Sequence, residues 1–196
     1  MKDMVENILS APVEDGVTFR VKRIQSIMDE AEYPGVRVSM ETTFDGVITP
    51  LKVDISTGDV ITPKEVRYRF KLMLEDRSIE VWAYNLETVL AEKLESIIYR
   101  GVTNTRMRDF YDVHILSQLY KGQLSSGVFQ EALLATCRRR RHLERLEEAV
   151  NIFDEVERDA EMENLWHSYQ KHFSYAANLS WHTVIESART LYAIAV

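Results

Sequence analysis

Three short segments of this 196-residue chain hold the residues whose types and spacing could do chemistry. The first is LKVDISTGD (51–59), which reads as a strand and a turn. Side chains of a strand alternate, so Leu51, Val53 and Ile55 share one face while Lys52 and Asp54 share the other. Gly58 permits a sharp turn directly afterwards. An ammonium and a carboxylate thus stand side by side at a strand end, and the carboxylate of Asp54 suits Mg²⁺, a hard cation that prefers oxygen. The alternative is a solvated strand face before an ordinary turn. A calcium loop is excluded. Asp54 and Glu65 have its first-to-twelfth spacing, but Asp59 stands where that loop needs glycine.

The second segment is NLETVLAEKLESII (85–98). At about 100° per residue, Leu86, Val89, Leu90, Leu94 and Ile97 form one apolar stripe. Lys93 falls in the middle of it, Glu95 points to the opposite side, and Glu92 lies off the stripe. A lysine centred on a core face is costly unless it is paired or lines a cavity. If it lines a site, its ammonium can grip a phosphate or a carboxylate. The other reading is a lysine that snorkels from the core edge.

The third segment is RMRDFYDVHILSQLY (106–120). Asp109, Val113, Leu116 and Tyr120 repeat at helical spacing, so Asp109 also sits on an apolar stripe, with Arg106 one turn before it. Asp112 borders the same face. Phe110 and His114 make a second apolar strip, so the helix is expected to be buried on most sides. A carboxylate there needs a partner, and Lys93 is the obvious one. The pair is either purely structural or part of a site. His114 has no matching ligand set and reads as a packed core histidine.

Other features fit ordinary roles as well as functional ones. Arg138–Arg141 is either a solvated helix end or a set of phosphate contacts for RNA. Trp166, Tyr169, Phe173 and Tyr175 read as helix-packing aromatics rather than a stacking platform. Cys137 has no neighbouring base and is expected to be inert. No Walker loop, dinucleotide-binding turn, zinc ligand set or nucleophile elbow is present.

The elements that must position these residues differ along the chain. From Gly16 to Tyr84, segments rich in Val, Ile, Phe and Tyr are separated by DG, PG, TGD and EDRS turns. They predict a mostly antiparallel sheet. Arg67, Arg69 and Lys71 alternate with Tyr68, Phe70 and Leu72, which predicts one wet and one dry face. From Leu86 the period becomes helical, with helices expected near 86–100, 105–121, 126–140, 142–158, 160–175 and 181–194. Gly101 is a natural stop for the first, and Ser125 or Ser126 a cap for the third. The fold class is α+β, a short leading helix and a sheet followed by a C-terminal helical bundle, with a boundary between 84 and 85.

Composition narrows the class further. Hydrophobic residues are 45% and charged residues 28%, the proportions of a globular chain. With a net charge of -7, binding to an acidic partner needs a local basic patch rather than a global field. A single cysteine excludes an intramolecular disulfide and fits a reducing compartment. The opening residues do not form a signal peptide, and no run of about 18 apolar residues occurs. A soluble cytoplasmic protein without membrane contact is expected.

Taken in order, KVDISTGD (52–59), LAEKLESIIYR (90–100) and RDFYDVHIL (108–116) resemble the later motifs of AbiEii/AbiGii-type toxins, nucleotidyltransferases of the DNA polymerase beta superfamily. The resemblance implies a toxin of a two-gene toxin–antitoxin or phage-defence (abortive infection) system, using Mg²⁺ and a nucleoside triphosphate (NTP). It implies a cognate antitoxin, and an acceptor such as tRNA. Carried over by motif, Asp54 is the metal-binding strand carboxylate with Lys52 beside it, Lys93 the lysine of the next motif, and Asp109 and Asp112 the aspartates of the last. Asp54, Lys93 and Asp109 are the catalytic candidates; Lys52, Asp112 and Arg106 are the substrate-binding ones.

One departure is expected to matter. The family's first motif, a Gly-Gly or Gly-Ser turn followed by an Asp-x-Asp-like pair, cradles the triphosphate and holds most of the metal. The roughly fifty residues before KVDISTGD contain neither element, and Met1–Ser10 resembles the helix that follows them. Two readings stay open: a truncated enzyme, inactive alone, or a degenerate module that binds an antitoxin or RNA without chemistry. A sheet without its first strands exposes an edge, so self-association is a further expectation.

Overall fold

The computed structural model describes residues 2–11, 13, 15–27, 35–56 and 58–196, without the side chain of Lys2. Met28, Pro34 and Thr57, expected in a strand end and two turns, lie outside the described residues. The chain packs as two units, Met1–Asp59 and Val60–Val196.

In the first unit, helix α1 (Lys2–Leu9) precedes strands β1 (Thr18–Ile27), β2 (Gly35–Phe44) and β3 (Val47–Ile55), which form one antiparallel sheet in chain order. The turn between β2 and β3 is Asp45-Gly46, with φ of 46° and 77°. Positive φ at both central residues is what a tight two-residue hairpin needs, and Asp-Gly supplies it at low cost. Phe44 pairs with Val47 across this turn, which sets the register of the whole hairpin. A small core joins Val5 of α1 to Val38 and Met40 of β2. The apolar face of β3 is only partly covered, since Leu51 and Val53 remain exposed.

The second unit opens with a two-stranded antiparallel ribbon, β4 (Val66–Lys71) and β5 (Ser78–Ala83). The alternation expected for β4 is present. Arg67 lies over the Trp82 ring at 3.8 Å on one face, a cation–π contact. Val66, Tyr68 and Phe70 pair with Ala83, Val81 and Ile79 on the other. That second face is apolar but not dry: Val66, Tyr68, Phe70, Ile79 and Val81 are all exposed.

Seven helices follow: α2 (Leu86–Arg100), α3 (Met107–Leu119), α4 (Ser126–Arg139), α5 (Leu143–Glu147), α6 (Ala149–Arg158), α7 (Ala160–His172) and α8 (Trp181–Ala195). Asn85 caps α2 by accepting from the Thr88 amide at 2.8 Å. Its amide nitrogen also donates to the carbonyls of Thr62 and Lys64, at 2.6 and 3.1 Å. These bonds tie residues 62–64 to α2, so the packing division falls at 59/60 while the change of period falls at 84/85. Gly101 ends α2 with φ 50°. Ser125 precedes α4, though its hydroxyl makes no cap bond.

The helix expected over 142–158 is two helices, α5 and α6, because Glu148 takes a backbone of φ -90°, ψ -4° between them. The one expected over 160–175 stops at His172, where Phe173 is extended. Helix α2 is the axis of the bundle. Leu90, Leu94, Ile97 and Ile98 are fully buried against Phe110 and Val113 of α3, Phe129 and Leu133 of α4, and residues of α6 and α8.

Candidate active site

Helices α2 and α3 bring three of the expected site residues together. The Lys93 ammonium lies 2.6 Å from Asp112 Oδ2 and 3.2 Å from Asp109 Oδ1. The side chains of Lys93, Asp109 and Asp112 are 22, 16 and 18% exposed. The cluster therefore sits at the edge of the core, open to solvent on one side. One ammonium faces two carboxylates, so its formal charge is negative by one. Arg108, at the rim and 77% exposed, reaches Asp112 at only 3.7 Å. Arg106 is exposed at the head of α3 and does not join these ion pairs. Such an arrangement holds a lysine in one orientation.

Asp54 and Lys52 lie in the other unit, on β3, and their alternation is as expected. The antiparallel register sets Arg37 of β2 directly opposite Asp54. Arg37 Nε and Nη2 each donate to one carboxylate oxygen at 2.7 Å, a bidentate pair. These bonds hold the Asp54 carboxyl below the usual carboxylate range. Lys52, two residues along the same face, adds a smaller effect in the same direction.

The fit to Mg²⁺ is poor. Both Asp54 oxygens already accept from a guanidinium, and one carboxylate is too few for a cation that needs near-octahedral oxygens. Among the described residues, the group of acidic and histidine side chains close enough to share an ion is Glu157, His182 and Glu186, which includes neither Asp54 nor Asp109 nor Asp112. Arg189 also reaches Glu157 there, at 2.6 Å. No catalytic step is assigned through a metal here.

A second buried polar cluster was not foreseen. Glu95, placed by the helical wheel away from the apolar stripe, is only 2% exposed. The side opposite the stripe is covered too, by α4 and α5. Arg140 and His142 both bond the Glu95 carboxylate, at 2.5 Å each, and Arg140 also reaches Glu92 at 3.3 Å. The His142 ring stacks on Tyr99 at 3.5 Å between centroids. Arg140, read as part of an exposed run, is thus turned inward. Nothing in the sequence marked it: Leu94 to Ile98 is buried without interruption only in the folded chain, where an acid must be paired.

Cys137 borders this cluster. Burial pushes its thiol up to about 12, and the Glu95 charge adds to the effect. Free thiols titrate near 8.5, so the thiolate fraction falls by roughly 10³-fold. Native Cys137 is expected to react with a disulfide reagent at pH 8 at least about 10³-fold more slowly than the urea-unfolded chain. Comparable rates would contradict this. His114 is held by Ser187, with Nδ1 to Oγ at 2.7 Å, and burial lowers its pKa; it packs between α3 and α8.

The four aromatics divide. Trp166 is fully buried and donates Nε1–H to the Leu179 carbonyl at 2.9 Å. Phe173 and Tyr175 are 42 and 52% exposed.

The family model for the nucleotidyl transferase AbiEii toxin of type IV toxin–antitoxin systems matches residues 1–191, and the chain belongs to that family. Membership implies a cognate antitoxin. No curated protein and no solved structure matches the chain. Among the described residues, no helix is long and apolar enough to cross a membrane.

Proposed function

We propose that the chain provides the later half of a nucleotidyltransferase site, which in its intact form moves a nucleotide from an NTP to an acceptor such as tRNA. The observation that carries this reading is the Lys93–Asp109–Asp112 cluster, three polar side chains held at a solvent-open edge of the helical core. In this reading the two aspartates orient the Lys93 ammonium, and Lys93 contacts the triphosphate. Arg106, at the head of α3, supports substrate binding; separately, in the other unit, Lys52 is a substrate-binding candidate, and Asp54 stays paired with Arg37 and is assigned no metal. The 196 residues alone lack a phosphate-cradling turn and an Asp-x-Asp pair before β3, so no transfer is expected from them alone.

The test uses the purified chain with Mg·ATP or Mg·GTP. A charge-assisted contact contributes about 1.5–3 kcal/mol, so Lys93→Gln is expected to weaken NTP binding roughly 10- to 100-fold. Unchanged binding would remove Lys93 from the phosphate site. In the same preparation, labelled NTP and bulk tRNA are expected to give no transfer. Robust transfer abolished by Asp54→Ala would overturn that expectation.

One observation favours a second reading, a binding module without chemistry. Lys93 and Asp54 each pair with opposite charges of their own unit, as structural ion pairs do.

A further inference from the structure

The ribbon of β4 and β5 has an open edge whose chemistry is set by its register. Leu72 donates its amide to the Arg77 carbonyl at 2.9 Å, so these two residues form a hydrogen-bonded pair. Such pairs alternate with non-bonded ones along an antiparallel ladder. Counting back through the register, Phe70, Tyr68 and Val66 turn their backbone groups toward β5. Arg67, Arg69 and Lys71 therefore turn theirs away from it. Among the described residues no third strand joins β4, so these three offer N–H and C=O groups at an unpaired edge.

The side chains of the same three residues stand in one column on one face of the ribbon. Arg67 lies over the Trp82 ring, and Lys71 is 3.4 Å from Asp76, with both side chains exposed. Arg69 makes no ion pair among the described residues, although Glu80 is its register partner. Exposed pairs of this kind contribute little, so the column stays basic. Tyr68 and Phe70 project from the opposite face and are half exposed, and Met73 and Leu74 at the turn are 95 and 93% exposed. A strand laid along this edge sets its alternate side chains beside the basic column and beside Tyr68 and Phe70.

These features select the occupant. Two copies of β4 paired antiparallel about Arg69 set Arg69 against Arg69 and Arg67 against Lys71 on both sides of it. Like charges directly opposite are destabilising, so a second copy does not fit. A nucleic acid would use the cations but leave the carbonyls unpaired, and the net charge of -7 opposes a polyanion. A strand that alternates acidic and apolar residues matches the backbone groups, the cations and the rings together. We propose that the open edge of β4 accepts an extended segment of a partner protein in which acidic and apolar residues alternate, added as a third strand of the ribbon. This surface is independent of the nucleotide reading of the Lys93 cluster.

The probe is a short fluorescein-labelled peptide of alternating glutamate and valine, titrated with the full chain and read by anisotropy. One control arranges the same residues as a glutamate block and a valine block, and another replaces glutamate by lysine. The alternating peptide is expected to bind at least about 10-fold more tightly than either control. Arg69→Glu, on an exposed side chain, turns an attraction into a repulsion and is expected to weaken binding roughly 10-fold. Amide exchange supplies a reading that charge attraction alone would not give. The amides of Arg67, Arg69 and Lys71 are expected to slow on binding, while those of Tyr68 and Phe70, already paired with β5, change little. No binding of the alternating peptide, equal binding of the block peptide, or slowing at Glu80 and Trp82 of β5 in place of β4 overturns the proposal. Displacement of the peptide by a short oligoadenylate also overturns it, since the basic column would then belong to a nucleic acid. So does displacement by self-association of the chain, which would make the edge a contact between copies.

Discussion

Glu95→Ala is expected to lower the unfolding free energy by about 3 kcal/mol, as measured by urea denaturation at neutral pH. The carboxylate is almost wholly enclosed and takes bonds from both Arg140 and His142. Its removal leaves a partly buried guanidinium without its main partner and a void between α2 and α4. The cost of a buried charge without a counterion exceeds the net benefit of the intact pair, so the loss is large even if the pair itself contributes little. Combining Glu95→Met with Arg140→Met should recover most of the stability, because both charges are then gone and the volume is kept. Equal stability of Glu95→Ala and wild type would mean that Arg140 finds another partner at no cost.

Lys93→Ala has the second largest expected effect, about 2 kcal/mol of stability. The number is smaller because all three side chains keep some contact with water. Asp109 and Asp112 would then face each other with only the exposed Arg108, 3.7 Å from Asp112, nearby. Adding Asp112→Asn to Lys93→Ala should restore more than half of the loss, since it removes the repulsion; a double-mutant cycle isolates the coupling. If the double variant is less stable than Lys93→Ala by the full cost of Asp112→Asn, the two residues are not coupled. Stability measured this way is separate from NTP binding by Lys93→Gln, where the same residue is read for its contact with phosphate.

Lys93 and Asp109 could be picked out from the sequence because both lie on apolar helical stripes where a charge is out of place. The same method failed for Glu95. A wheel compares one face with the other, and from Leu94 to Ile98 helix α2 is buried on every side. Nor could it foresee the inward turn of Arg140, which follows from the end of α4. There Arg141 adopts φ 56° and the His142 amide bonds back to the Cys137 carbonyl at 2.8 Å, a turn usually made by glycine. The partner of Asp54 was legible in principle. Counting back from Phe44 and forward from Val47 around the Asp45-Gly46 turn lands on Arg37 and Asp54 together. The face of β4 expected to be dry is exposed, because alternation marks a face as apolar but says nothing of whether a layer covers it.

The same ribbon sets the order in which the molecule comes apart. Two strands with one apolar face in water hold together only marginally, and stability in such cases is drawn from neighbours rather than from the ribbon itself. The helical bundle, with α2 at its axis, supplies the opposite extreme. Opening therefore starts at residues 66–83, while the amides of α2 exchange with solvent only when the whole bundle unfolds. The two ends of one folded unit thus differ in lifetime, and the Lys93 cluster, standing on α2 and α3, belongs to the long-lived end.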